Sequence, residues 1–175
     1  MSIVLDGTAG MTAPQGAIYN GLQTATAVAS TSGTSIDFTG IPSWAKRITL
    51  MWQGVSTSGT SQPMIQVGSG SVATTGYLCG STFFAALSAG SANYTNGFQF
   101  FNALLAADIF HGNFVFTNIS GNNWTMAGNF GLSNVAGGGA IGGSVTLAGV
   151  LDRVRITTAN GTDTFDAGSI NIMYE

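Results

Sequence analysis

Phe114–Leu132 reads FVFTNISGNNWTMAGNFGL, and this stretch decides the fold class. Phe114 and Phe116 stand two apart, so an extended chain puts them on one face. Trp124, Met126, Phe130 and Leu132 share a face in the same way after Ser120-Gly121-Asn122-Asn123, a run of turn-forming residues. Two half-buried strands joined by such a turn make an antiparallel hairpin. The same period of two recurs outward from it. Ile48, Leu50 and Trp52 face one side while Thr49, Met51 and Gln53 face the other, and Ile65 and Val67 alternate with Met64 and Gln66. The Ser56–Gln62 stretch between those two runs reads as a long hairpin loop. Val145 and Leu147, then Val154 and Ile156, then Ile170, Ile172 and Tyr174 continue the pattern, with Ile36–Phe38 and a weaker strand over Tyr77–Phe83. Roughly eight to ten short strands at this spacing predict an all-β fold, an antiparallel β-sandwich of jelly-roll type.

Three segments depart from the alternation. Phe98, Phe101, Leu105 and Ile109 recur at helix-like spacing among alanines, which predicts a short helix or turn within Phe98–Phe110. Ala136–Gly143, AGGGAIGG, is either a mobile loop or a place where another backbone approaches closely. Residues 1–30 are rich in Thr, Ala, Gly and Gln and are broken by Pro14 and Gly16. They have too little to bury alone, so they read as an extended N-terminal attachment segment ordered only against a neighbouring chain, with the sandwich domain occupying 31–175. On that reading a chain starting at Thr31 folds with unchanged stability.

Composition points towards an assembly. Only 6% of the residues are charged, against about 25% in an ordinary soluble domain. Exposed positions must therefore be filled by Ser, Thr, Asn, Gln and Gly, and a neutral face can be buried against another subunit without the cost of desolvating charges. Lys46, Arg47, Arg153 and Arg155 are too few to track a phosphate backbone, so nucleic acid is not an expected partner. No apolar run approaches the ~18 residues of a membrane span, and the first residues lack a basic n-region. Cys79 alone excludes an intrachain disulfide and a thiolate metal cluster, and its apolar approach reads it as a small buried hydrophobe.

Candidate chemistry is sparse. Gly137, Gly139 and Gly142 fit G-x-G-x-x-G, but the chain runs on into Ser144-Val145-Thr146-Leu147, a strand where a dinucleotide site needs a helix. His111 has Asp108 nearby in sequence, yet no G-x-S-x-G elbow positions a serine for it. Asp163 and Asp166 could form a glycosidase pair, or join Asn160 as oxygen ligands for Ca²⁺, but turn-forming Asx side chains explain the spacing more simply. The sequons at Asn93, Asn118, Asn123 and Asn160 are what an Asn/Ser/Thr-rich chain produces by chance. One binding candidate is left. Asn122, Asn123 and Trp124 combine a ring that could stack on a sugar with amides that could bind its hydroxyls, a possible receptor contact. Against this, Trp124 shares its alternation face with Met126 and Phe130, which reads it as core. The expectation is a protein with no catalytic, cofactor or metal site.

Two blocks carry a resemblance. Ile36–Trp52, IDFTGIPSWAKRITLMW, and Leu151–Glu175, LDRVRITTANGTDTFDAGSINIMYE, resemble the terminal β-domain of bacteriophage tail-fibre and related virion proteins. In that family an FTGIP.WAKRIT segment opens the domain, and an LDRVRITT strand, a GTDTFDAG loop and an SINI.YE strand close it. Ile3–Met11, IVLDGTAGM, is similar to the LDGT.GI openings of phage fibre proteins. Residues 79–140 carry no such motif. The resemblance implies a non-enzymatic structural or host-contact role in a virion made in the host cytoplasm, most simply a short tail fibre, and a homotrimer. Partners implied are the chain itself, other virion proteins through residues 1–30, and a host surface glycan or protein. The alternatives are a head-decoration or capsid-fibre protein, a polysaccharide-degrading tailspike, and a bacterial surface lectin or adhesin. The short chain without a β-helix repeat argues against the tailspike, and the lack of a secretion signal against the adhesin.

Overall fold

A computed structural model describes residues 4–6, 10–12, 21–85, 88–101 and 105–175. Its strands are β1 (Val4–Asp6), β2 (Gly10–Thr12), β3 (Gln23–Thr24), β4 (Val28–Ala29), β5 (Ser35–Thr39), β6 (Arg47–Thr57), β7 (Pro63–Ser69) and β8 (Ser71–Val72). The remainder are β9 (Tyr77–Ala85), β10 (Ser88–Tyr94), β11 (Phe98–Gln99), β12 (Phe110–Ser120), β13 (Asn123–Leu132), β14 (Gly137–Thr146), β15 (Arg153–Thr158) and β16 (Phe165–Tyr174). A nine-stranded sheet runs β10-β9-β14-β13-β12-β6-β16-β3, with β4 also on β16. A five-stranded sheet runs β11-β7-β15-β5, with β8 on β7, and β1 and β2 form a separate ribbon. Every pairing is antiparallel.

The two large sheets form a β-sandwich because each is apolar on one face. Ile48, Leu50, Phe114, Phe116 and Ile172 of the larger sheet join Ile36, Ile65, Val67, Val154 and Ile156 of the smaller in one buried cluster. Aromatic rings fill its centre. Trp52 stacks on Phe100 with centroids 5.0 Å apart, and Phe98 reaches across from β11 to meet Tyr77 and Phe116 edge-on. Consecutive strands change sheet at both ends of the domain: β5 pairs with β15 in one sheet while β6 pairs with β16 in the other. Residues 58–62 accordingly cross from β6 to β7 between the sheets, and do not form the hairpin loop that alternation on either side predicts. β7 is also buried on both faces, since Gly97 lies against Met64 and Gln66 donates to the Asn96 carbonyl at 2.7 Å.

Tyr77 ties the layers together. Its hydroxyl accepts from the Val67 N–H at 2.9 Å and can donate to the Ala73 carbonyl at 3.0 Å, so a β9 side chain satisfies buried backbone groups of the opposite sheet. Burial pushes the phenol from 10.0 up to about 12. A raised folded-state pKa contributes stability that is complete below the unfolded value and is lost as pH climbs through the folded one. Thermal melting of the wild type should therefore lose about 3 kcal/mol of stability between about pH 10 and 12 on this account. Tyr77→Phe should lack that component, and should cost about 1–3 kcal/mol at neutral pH by leaving the Val67 N–H unpaired. A variant melting like wild type would show that the strut contributes nothing.

Other departures from the sequence expectations have local causes. Of the short helix or turn expected within Phe98–Phe110, the described residues show the turn, at Ala106 and Ala107: Phe98–Gln99 pairs with β7 and Phe110 opens β12, while residues 102–104 lie outside the described residues. The helix-spaced set does not share one buried face: Phe98 is wholly buried and Leu105 is exposed, while Phe100, outside that set, fills the core beside Trp52. The glycine tract is strand β14, so of its two readings close approach is the correct one: a Cβ on Gly139 would strike the Thr82 carbonyl and the Phe130 ring. Residues 21–30 pair with their own chain. β3 and β4 lie on β16, Ala25 N–H donates to Ile172 at 2.9 Å, and the fully buried Ser30 donates through its hydroxyl to Ala167 at 2.7 Å. This part of the N-terminal segment is the margin of the sandwich, so a chain starting at Thr31 would lose an edge; most of residues 1–20 lie outside the described residues.

Candidate functional site

The hairpin that carries Asn122, Asn123 and Trp124 forms as expected, with Gly121 at φ +53 in its turn. It separates the three residues. Trp124 is 3% exposed and belongs to the core, so its ring is not available to a sugar. The Asn123 side-chain oxygen accepts from Thr146 Oγ1 at 2.6 Å, and its backbone carbonyl accepts from Asn118 Nδ2 at 3.1 Å. Asn122 remains at the tip, half-buried, its carbonyl accepting from the Leu147 N–H at 3.0 Å. The Asn118 amide, which donates to the Gly121 and Asn123 carbonyls, holds the turn, and the Asn123 side chain ties it to β14.

His111 has a serine within reach, but with the wrong proton. Its Nδ1 accepts from the Gly54 backbone N–H at 3.3 Å, which places the neutral ring's hydrogen on Nε2. Nε2 lies 3.2 Å from Ser133 Oγ and is then the donor. A general base must present a lone pair there, while a carboxylate holds the hydrogen on Nδ1. Asp108 plays no such part: it is buried and accepts from the Leu105 N–H at 3.0 Å. The bend that brings Gly54 to His111 comes from β6 itself, where Gly54 (φ +66) faces Gly168 (φ +95) of β16 and the ladders on both sides of β6 slip. A Cβ on Gly168 would collide with the Gly54 carbonyl.

Asn160, Asp163 and Asp166 fasten the β15–β16 loop. Asp163 accepts from the Ser61 N–H at 2.9 Å and from Asn160 Nδ2 at 2.7 Å, Asn160 Oδ1 accepts from the Thr162 N–H at 3.0 Å, and Asp166 accepts from Ser56. The carboxylates point to different protein donors, and no group of three or more acidic, His or Cys side chains able to hold a metal occurs among the described residues. Cys79 is buried, and burial pushes its thiol up. The arginines are dispersed in pairs: Arg47 with Glu175 at 3.1 Å, Arg153 with Asp152 at 2.7 Å, Arg155 with Asp37 at 2.7 Å. The hydrogen bond from Arg153 holds the Asp152 carboxyl below its ordinary value. No basic patch results.

The outer face of the large sheet is the most distinctive surface. Register aligns Ser91, Thr82, Ala140, Asn129, Asn113, Met51 and Asn171 in one row across it. The next row is Asn93, Gly80, Gly142, Ala127, Val115, Thr49 and Met173. Neither row holds a charge. Most side chains in the two rows are small or amides, and Leu78 and Phe84 stand 72% and 61% exposed on β9. Single strands signal this through their Thr, Asn and Gly positions, but only the register assembles them into a face. No protein-family model matches the chain, and no curated protein sequence matches it.

Proposed function

We propose that this chain is a non-enzymatic structural component of a bacteriophage particle, a short tail fibre or fibre-like appendage that self-associates, as a homotrimer on the family resemblance, and contacts the host surface. One observation carries the reading. The two blocks that resemble fibre domains lie about a hundred residues apart in sequence, yet they pair with each other, β5 with β15 and β6 with β16. They form one spatial unit bridging both sheets, as expected if the resemblance reflects a shared scaffold and not scattered coincidence. The unmatched stretch supplies β9, β10 and most of β12–β14, the other half of the large sheet, where a fibre domain would vary to suit its receptor.

The two uncharged rows of the outer face support self-association, since covering them desolvates no ion, and the Arg47–Glu175 pair stands beside them. Labelled-antibody microscopy of purified particles tests the placement. Label at the tail or baseplate is expected. A regular pattern over the head would overturn the fibre assignment in favour of decoration, and particles free of label would overturn the virion reading altogether.

A further inference from the structure

The edges of the two sheets are treated unequally. An exposed strand edge is a template for pairing with another chain, and proteins blunt such edges with charge, proline, bulges or short covering strands. On the small sheet, edge strand β5 carries Asp37, ion-paired to Arg155. The β16 side of the large sheet is covered by β3 and β4, strands of 2 residues each. Strand β10 closes the other side, and it has none of these devices. It is 7 residues long, reads SAGSANY, and pairs with β9 in unbroken register from Ser88 to Tyr94. Among the described residues no backbone hydrogen bond reaches its outer side. Beside it, on β9, stand the exposed Leu78 and Phe84.

We propose that β10 pairs antiparallel with β10 of a second copy, across a two-fold axis at Ser91, so that two large sheets become one continuous sheet. A strand laid antiparallel on its own symmetry mate meets its own N–H and C=O groups in reverse order, so the edge is self-complementary. Centring on Ser91 overlaps all of Ser88–Tyr94. No charge in the strand opposes like charge in the mate, which suits a second copy better than a charged partner. The inference rests on the self-association proposed above and makes it specific: a two-fold contact adds to a three-fold one, so the particle contains an even number of copies.

Ser91 is exposed, and its partner on β9 is Thr82, so its side chain can change without disturbing the core. Ser91→Lys and Ser91→Glu each bring two like charges together at the axis. Particle mass by light scattering, with circular dichroism melting to establish folding, reads the result. Each variant alone should melt like wild type and have half the wild-type mass, and mixing the two should restore the full mass. Variants that keep wild-type mass would put the contact elsewhere and leave self-association standing. A wild-type mass of three copies would overturn the two-fold contact alone, and a wild-type monomer at micromolar concentration would overturn self-association with it.

Discussion

Ile172→Asp should leave the chain unable to fold. Ile172 is 1% exposed on β16, opposite Leu50 of β6, in the middle of the sandwich. Removing the side chain forfeits about 1.5–3 kcal/mol of burial. The carboxylate that replaces it costs more, because no basic group lies in the core cluster to pair with it, and a domain of ordinary stability has only about 5–15 kcal/mol in total. Expression into inclusion bodies, or a soluble product without a cooperative melt, is the expected result. Asn171→Asp is the control one residue away. Asn171 is half-buried on the uncharged outer row beside Met51, with Nδ2 3.3 Å from Thr24 Oγ1. That variant should fold and melt within about 2–4 °C of wild type, the shift for about 1 kcal/mol in a domain of this size. Loss of folding in both would mean the outer face is as essential to the monomer as the inner one.

The contrast between these neighbours is also what makes the fold legible. Period-two alternation is written into side chains that must choose between oil and water, so Ile170, Ile172, Phe114, Phe116, Ile48 and Leu50 announce their strands and their buried face. Strand β10 announces nothing, because Ser, Ala and Gly carry no such preference, and it is held as a strand by pairing with β9. The β6–β7 connection misleads for a related reason: alternation identifies strands but not partners, and sheet membership is set by packing across the core. Residues 21–30 look detached in the sequence because Ser30 and Ala25 are held through backbone and hydroxyl bonds to β16, which hydrophobicity does not register. In the binding candidate, Asn122, Asn123 and Trp124 are adjacent in sequence, but strand geometry sends neighbours to opposite faces and turns the ring inward.

Gly139→Ala should be among the most damaging single-methyl changes in the chain's glycine tract. Gly139 sits in β14 between β13 and β9, where its Cα faces Phe130 on one side and Phe83 on the other. An added Cβ would fall well inside contact distance of the Thr82 backbone carbonyl, and 2.6 Å from the Phe130 Cζ. The ring alone could turn aside. The carbonyl cannot move without disturbing the β14–β9 ladder that holds it, and overpacking of this kind costs about 1–3 kcal/mol or more. At the upper end that lowers the melting temperature by about 6–12 °C. Gly131, on the adjacent strand β13, separates this steric account from a general intolerance of substitution. A Cβ there meets nothing within 4 Å, and its backbone is not in the left-handed region. Gly131→Ala should be neutral, or stabilise by about 0.4–1 kcal/mol through the reduced freedom of the unfolded chain. Differential scanning calorimetry of both variants gives opposite signs if the glycines of β14 are there to let backbones approach. Equal destabilisation would mean that glycine is needed at both positions for its backbone freedom, and that the close contact at Gly139 is not the reason.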